Sequence, residues 1–339
     1  MSVLVLGGTS WLGGRVAAAA LATGQQVTCL ARGTSGEAPA GTSLVRADRD
    51  AAGAYAAVMD QGWDLVVDVS WQPGQVRGAL EALAGRAAHW VYVSSCSVYA
   101  DQSQPGMDER AEVLEPLVAE HAGPECYGEA KVACERLCAD RLGERLLIAR
   151  AGLIAGYGDL SDRFGYWPGR LALAAQDGGP VLVPAGRDDA LAQAVDVADL
   201  ARWLVAAGLR GTSGVLNAVG PLWTFGEVLA VARSAAGFEG RVVEAPADWL
   251  RDQQVQEYMG PRSLPLWFAD PAYAGFSARA GHAASAAGLT HSGLGRLVQD
   301  CLRWEVELGL DRERLAGLTR PEELGLIEAL EAGVVLPGR

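Results

Sequence analysis

Across roughly the first 220 residues, short apolar runs alternate with longer segments of helical periodicity. Strand-like runs fall at 3–6, 27–30, 43–46, 65–69, 90–94, 145–150, 181–184 and 215–218, with helical patterns at 12–22, 51–59, 76–84, 127–142 and 197–206 between them. The runs are apolar on both faces, which suits a sheet covered by helices above and below. This alternation constrains the chain to an α/β architecture with a parallel, doubly wound sheet. After residue 220 the rhythm changes: Trp, Pro, Gly and Arg crowd "MGPRSLPLWFADPAYAGF" at 259–276, before helical patterns at 294–304 and 322–332. Residues 1–160 are therefore expected to form the sheet domain, with segments returning around 190–218. Residues 161–339 are expected to form mainly a smaller, substrate-binding lobe.

The composition narrows the function. A net charge of −13, from 28 basic and 41 acidic residues, leaves no basic face for a nucleic acid. "MSVLVLGG" lacks a basic leader region, and no apolar run reaches the ~18 residues of a membrane span. A soluble, cytoplasmic protein is expected. The six cysteines form no CxxC pair and the four histidines sit in unrelated contexts, so no metal site is expected.

The stretch "VLVLGGTSWLGG", residues 3–14, is a strand, a Gly/Ser-rich turn and a helix start. Gly7 permits the tight turn, followed by Thr9. Amides near Ser10, Trp11 and Leu12 would face a pyrophosphate at the helix N-terminus, where the dipole and unpaired N–H groups favour anions. Gly13 allows close helix–strand packing, and Ser10 stands where a middle glycine is usual. The second strand ends in "VTCLARGTSG", with Ala31 and Arg32 and no acid before Glu37. An NAD site usually has an acid there for the ribose hydroxyls. Arg32 can instead fork onto a 2′-phosphate, with Thr34 or Ser35 adding hydroxyls. NADP(H) is thus expected over NAD(H). Asp48, next to Arg49 after the third strand, is a candidate for the adenine amino group.

Lys131 is the one lysine in the chain, against 27 arginines, and it lies four residues after Tyr127 in "CYGEAKVACERL". On a helix the two share a face. A phenol ordinarily titrates at about 10, and a nearby ammonium favours phenolate. Such a phenol can serve as acid toward a forming alkoxide, or as base in reverse. Upstream, "HWVYVSSCSVYA" (89–100) is a strand with a hydroxyl-rich end. Ser95 lies at the edge where open α/β sheets bind ligands, and its hydroxyl can orient a substrate oxygen.

The glycine turn, "VSSCSVY", "YGEAK" and "ARAGLIAGYGD" (149–159), in this order, resemble the extended short-chain dehydrogenases/reductases, the NAD-dependent epimerase/dehydratase group. The resemblance covers about the first 220 residues. It implies a Rossmann-type fold, Ser95, Tyr127 and Lys131 as the catalytic trio, and Lys131 also on the nicotinamide ribose. It further implies Val69 and Ser70 beside the cofactor, Ala151 and Leu153 near the carboxamide, and a homodimer through helices near 75–83 and 125–142. Three departures stand out. Asn217 is the only asparagine, so the Asn of the usual proton relay is missing from the helix after the fourth strand. Cys96 and Ser97 stand where the sugar-nucleotide dehydratases of this group carry an acid pair that eliminates water. Leu153 replaces an Asn that faces the substrate diphosphate.

On the substrate side, Trp71, Ser97, Tyr166, Trp167 and Trp267 are expected to line the site, the aromatics by stacking on a ring. Arg163 and Arg262 could receive an anion. The expected activity is NADPH-dependent reduction of a ketone or aldehyde, on a cyclic or specialised metabolite. The alternatives are an NAD(P)-dependent epimerase of a sugar-like substrate and a non-catalytic dinucleotide-sensing protein.

Overall fold

The computed structural model describes residues 1–333. The first six strands are β1 (Ser2–Leu6), β2 (Gln26–Ala31), β3 (Ser43–Arg46), β4 (Trp63–Asp68), β5 (Ala87–Ser95) and β6 (Leu146–Ala151). Four short strands follow: β7 (Ile154–Ala155), β8 (Val181–Pro184), β9 (Leu191–Gln193) and β10 (Val195–Asp196), and then β11 (Gly214–Ala218). The central sheet has seven strands in the order β11-β6-β5-β4-β1-β2-β3, all parallel. The strand order reverses between β1 and β4, where open α/β sheets leave a crevice at their carboxyl ends.

Helices cover both faces. α1 (Trp11–Ala22) and α5 (Val197–Leu209) pack on one side over Val3, Val5, Val67 and Val91. On the other, α2 (Pro73–Leu83) and α3 (Tyr127–Leu142) pack over Leu4, Leu6, Val66 and Trp90. This two-sided burial is the physical reason the strands read as unbroken apolar runs.

The second lobe has its own core, built around α4 (Tyr166–Asp177), α6 (Phe225–Ala235) and α7 (Leu294–Leu308), with α8 (Arg320–Ala332) against β8. Its β8 does not extend the central sheet: it pairs in parallel with Val242–Ala245. Two sequence expectations fail. Residues 51–59 form successive turns rather than a helix, because Gly53 adopts φ +75 and Tyr55 is drawn to the Gln75 carbonyl. The aromatic stretch around 166–170, expected to line the substrate site, instead forms the buried start of α4.

Candidate active site

The crevice between β1 and β4 opens into a cleft of about 570 Å³. Its floor is the turn after β1. Gly7 has φ +91, and a Cβ there would lie 2.7 Å from Val69 Cγ2 across the switch point. A Cβ on Gly13 would lie 2.2 Å from the Gly7 carbonyl oxygen, so α1 approaches the turn as closely as backbone allows. Ser10 caps α1: its hydroxyl accepts from the Gly13 amide at 3.2 Å and donates to the Gly7 carbonyl at 2.8 Å. Serine at the middle-glycine position is thus an N-cap. A glycine-walled cradle at the start of a well-capped helix fits a dinucleotide pyrophosphate. Trp11 and Arg15 anchor the turn from outside, both donating to the Tyr157 carbonyl, at 3.1 and 2.7 Å.

Of the expected cofactor residues, Gly7, Thr9, Ser10, Arg32, Asp48, Arg49, Val69 and Ser70 line this cleft, as does Trp71. Arg32 is exposed and makes no ion pair among the described residues. Arg49 is different from a free ligand group. Its guanidinium is committed to Asp68 through two 2.7 Å bonds, to Tyr55 Oη at 3.0 Å and to the Gln75 carbonyl at 2.8 Å. It therefore braces the cleft wall. Sequence reasoning missed Gln72, Gln75, His121 and Ala122, which also line the cleft. The Gln72 side-chain amide bonds Ala122 in both directions, at 2.8 and 3.1 Å, tying the 120–122 segment across the N-terminus of α2. Nothing in local periodicity signals that long-range strap.

Beyond Trp71 the carboxyl ends of β5 and β6 carry the proton-transfer candidates, with Ser95 paired to Ala151 in register. Gly128 lets α3 dock there: a Cβ would be 2.5 Å from the Ser97 carbonyl oxygen, so only glycine brings Tyr127 this close to the 95–97 segment. Ser95 Oγ donates to Ser97 Oγ and accepts from the Ser97 amide, both at 3.1 Å. Lys131 is 3% exposed, donates to the carbonyls of Ser70 (3.0 Å) and Val93 (2.6 Å), and lies 5.9 Å from the Tyr127 ring centroid. Trp71 sits 5.4 Å from the Tyr127 ring, tilted by 55°.

Three tyrosines approach this edge, and their partners distinguish them. Tyr92 donates to the Ser70 carbonyl, and burial pushes its phenol well above the ordinary range. Tyr99 is held between Arg150 and Asn217, its phenol pushed up to about 12 by burial. The Tyr127 hydroxyl makes no hydrogen bond among the described residues. Asn217 is spent inside the fold on Tyr99 and the Ala280 carbonyl. Burial pushes the Cys96 thiol up to about 12 against the pull of Arg279 and Arg150. A thiol so held is a poor substitute for the carboxyl of an eliminating acid pair.

Three expected substrate aromatics lie elsewhere. Tyr166 and Trp167 are 0% exposed and Trp267 is 4% exposed, all within the second lobe's core. Trp167 meets Tyr166 and Phe225 edge-on and donates to the Pro265 carbonyl at 2.7 Å. They pack the lobe, as large apolar rings do where burial is available. Leu153 packs against this same core. Arg262 pairs with Glu322 at 3.2 Å and donates to the Gln253 carbonyl, so it is not an open anion receptor. Arg163 lies 5.8 Å over the Tyr258 ring.

No family model and no curated protein matches the sequence. Solved structures do. A provisionally assigned epimerase from Burkholderia cenocepacia J2315 superposes with a TM-score of 0.66 at 22% identity, over 91% of this chain and 97% of that one. The UDP-Glc/GlcNAc 4-epimerase from Campylobacter jejuni gives 0.66 at 15% identity over 90% and 99%. UDP-glucuronic acid 4-epimerase from Bacillus cereus, solved in complex with NAD, gives 0.64 at 14% over 91% and 99%. At such identities the likeness is one of fold. The chain shares its α/β fold, over about nine-tenths of its length, with these solved structures.

Proposed function

We propose that this chain is an NAD(P)(H)-dependent enzyme of the extended short-chain dehydrogenase/reductase type, interconverting a carbonyl and a carbinol, with NADP(H) the favoured cofactor. The observation that carries the reading is the unpartnered Tyr127 hydroxyl, one helical turn from the buried Lys131 and docked beside Ser95. A bound nicotinamide would supply or accept the hydride. The turn from Gly7 to Gly13 would hold the pyrophosphate, and Val69 and Ser70 would border the cofactor. Ser95 would orient the substrate oxygen, Tyr127 would give or take its proton, and Lys131 would stabilise the deprotonated phenol and hold the ribose. Trp71 and Ser97 would border the substrate.

For the net reaction, reduction of a ketone or aldehyde is supported by Arg32 and by the lack of an acid at the end of β2. The second reading is epimerisation of a sugar-like substrate, favoured by the named activities of the structural neighbours. A homodimer through α2 and α3, adjacent on one sheet face, and a reducing cytoplasm for six free thiols belong to the same reading. Among the described residues no helix is long and apolar enough to cross a membrane.

The test is a fluorescence titration with NADPH and NADH, followed by a carbonyl substrate panel. Tyr127→Phe should cost about 10²-fold or more in turnover while leaving NADPH affinity within about twofold. Stoichiometric release of NADP⁺ identifies a reductase. NAD⁺ that copurifies and stays bound through turnover identifies an epimerase. No binding of either dinucleotide would overturn both.

A further inference from the structure

Sequence reasoning stopped at Arg32, which lines the cleft; the sheet register brings a second guanidinium, just outside the cleft lining, against the Gly33 turn that follows it. β2 and β3 run in parallel, and their last residues, Ala31 and Arg46, are paired. Paired residues of adjacent parallel strands point to the same face. Beyond Ala31 the chain turns at Gly33, whose φ is +80. A Cβ on Gly33 would lie 2.3 Å from Arg46 Nη1, so the Arg46 guanidinium rests against the backbone of this turn. Gly33 itself lines the cleft, with Arg32, Thr34 and Ser35.

We propose that Arg46 is a second receptor for the 2′-phosphate of NADP(H), acting with Arg32 across the Gly33 turn, and so helps set cofactor choice. The inference rests on the dinucleotide reading above and names a residue that reading did not contain. Neither Arg32 nor Arg46 makes an ion pair or side-chain hydrogen bond among the described residues, in contrast to Arg49, whose guanidinium is taken up by Asp68, Tyr55 and Gln75. Two planar forks flanking one turn match a dianion with three acceptor oxygens. The unphosphorylated ribose of NAD(H) needs an acceptor there, and β2 ends in Ala31 and Arg32 without one. Glycine at 33 has a use beyond its left-handed φ: a side chain would push the Arg46 fork off the turn.

The experiment measures binding to the full chain, independent of turnover. Titrations with NADPH, NADH, 2′,5′-ADP and 5′-ADP are run on the wild type, Arg32→Ala, Arg46→Ala and the double variant. Each single substitution should weaken NADPH and 2′,5′-ADP about tenfold and leave NADH and 5′-ADP within about twofold, and the double variant should show no preference. The preference should also shrink as salt rises, because both guanidiniums are at the surface. If Arg32→Ala weakens NADPH but Arg46→Ala does not, the Arg46 assignment is wrong while the NADP(H) reading stands. If the wild type shows no preference for NADPH, the reading beneath it fails and the assignment goes with it.

Discussion

Asp68→Asn is expected to be among the more damaging conservative changes in the sheet domain. The Asp68 side chain is 0% exposed and that of Arg49 7%, and the two make paired bonds of 2.7 Å. The neutral amide keeps one acceptor oxygen for Arg49 but removes the charge and the second acceptor, leaving a guanidinium without its counter-ion in the cleft wall, with Tyr55 and the Gln75 carbonyl as its other partners. Breaking one side of a buried pair costs about 3–5 kcal/mol. With an unfolding entropy of about 2.1 cal/mol/K per residue, a chain of 339 residues has about 0.7 kcal/mol/K at its midpoint. The penalty therefore corresponds to a Tm lower by about 4–7 °C at pH 7. Arg49→Met should do similar damage by leaving the buried carboxylate without a counter-ion, held by the Ser70 amide at 2.9 Å. The double variant Arg49→Met/Asp68→Leu should recover most of the loss, because two apolar groups of similar size need no counter-ion. Calorimetry or thermal denaturation of the four proteins closes the cycle. Additive losses, with no coupling of about 2 kcal/mol or more, would refute the claim that the pair acts as one unit.

Other outcomes follow from the same geometry. Gly128→Ala inserts a methyl 2.5 Å from the Ser97 carbonyl oxygen and 2.6 Å from Leu114 Cδ1, so α3 must shift. We expect a loss of about 1–3 kcal/mol by thermal melting, and turnover falling further than that loss accounts for. Alkylation of native protein at pH 8 should modify chiefly Cys126, since burial raises the thiols of Cys29, Cys96, Cys134, Cys138 and Cys301; mass spectrometry that found Cys96 labelled equally fast would contradict its burial. His89 is held below the ordinary imidazole range, chiefly by burial, while its ring bonds the Thr212 carbonyl. Its folded pKa is depressed, so only the unfolded chain takes up this proton as pH falls through about 6.5, and stability drops. Denaturant melts of His89→Gln between pH 7 and 5 should show a flatter pH dependence than the parent.

Much of the fold was legible in residue order. Strands 43–46 and 181–184 and helix 127–142 were placed to the residue, because each is an apolar or periodic run with clear ends. The membership of β8 was not legible: a short run of four apolar residues reads the same whether it joins the central sheet or pairs with a distant strand. Residues 51–59 misled because alanine-rich spacing mimics a helix, whereas Gly53 and the Tyr55–Gln75 bond are decided by tertiary contacts. In the second lobe, aromatic content signalled a substrate site for Tyr166, Trp167 and Trp267. Large rings are equally suited to a core, and composition does not distinguish the two.

The sequence alone determined the α/β alternation, the glycine turn at the first strand, the i,i+4 pairing of Tyr127 with Lys131 and the missing acid at the end of β2. These are properties of neighbours in the chain, set by backbone sterics and helical period. Tertiary structure decided which of three tyrosines keeps a free hydroxyl, that Arg49 is committed to Asp68, that Gln72 straps Ala122 across the cleft, and that Arg46 lies on Gly33. Each depends on groups at least 13 residues apart in the chain that are brought together by strand order and register. Local periodicity carries no information about such pairs, because it describes which way a side chain points and not what it meets.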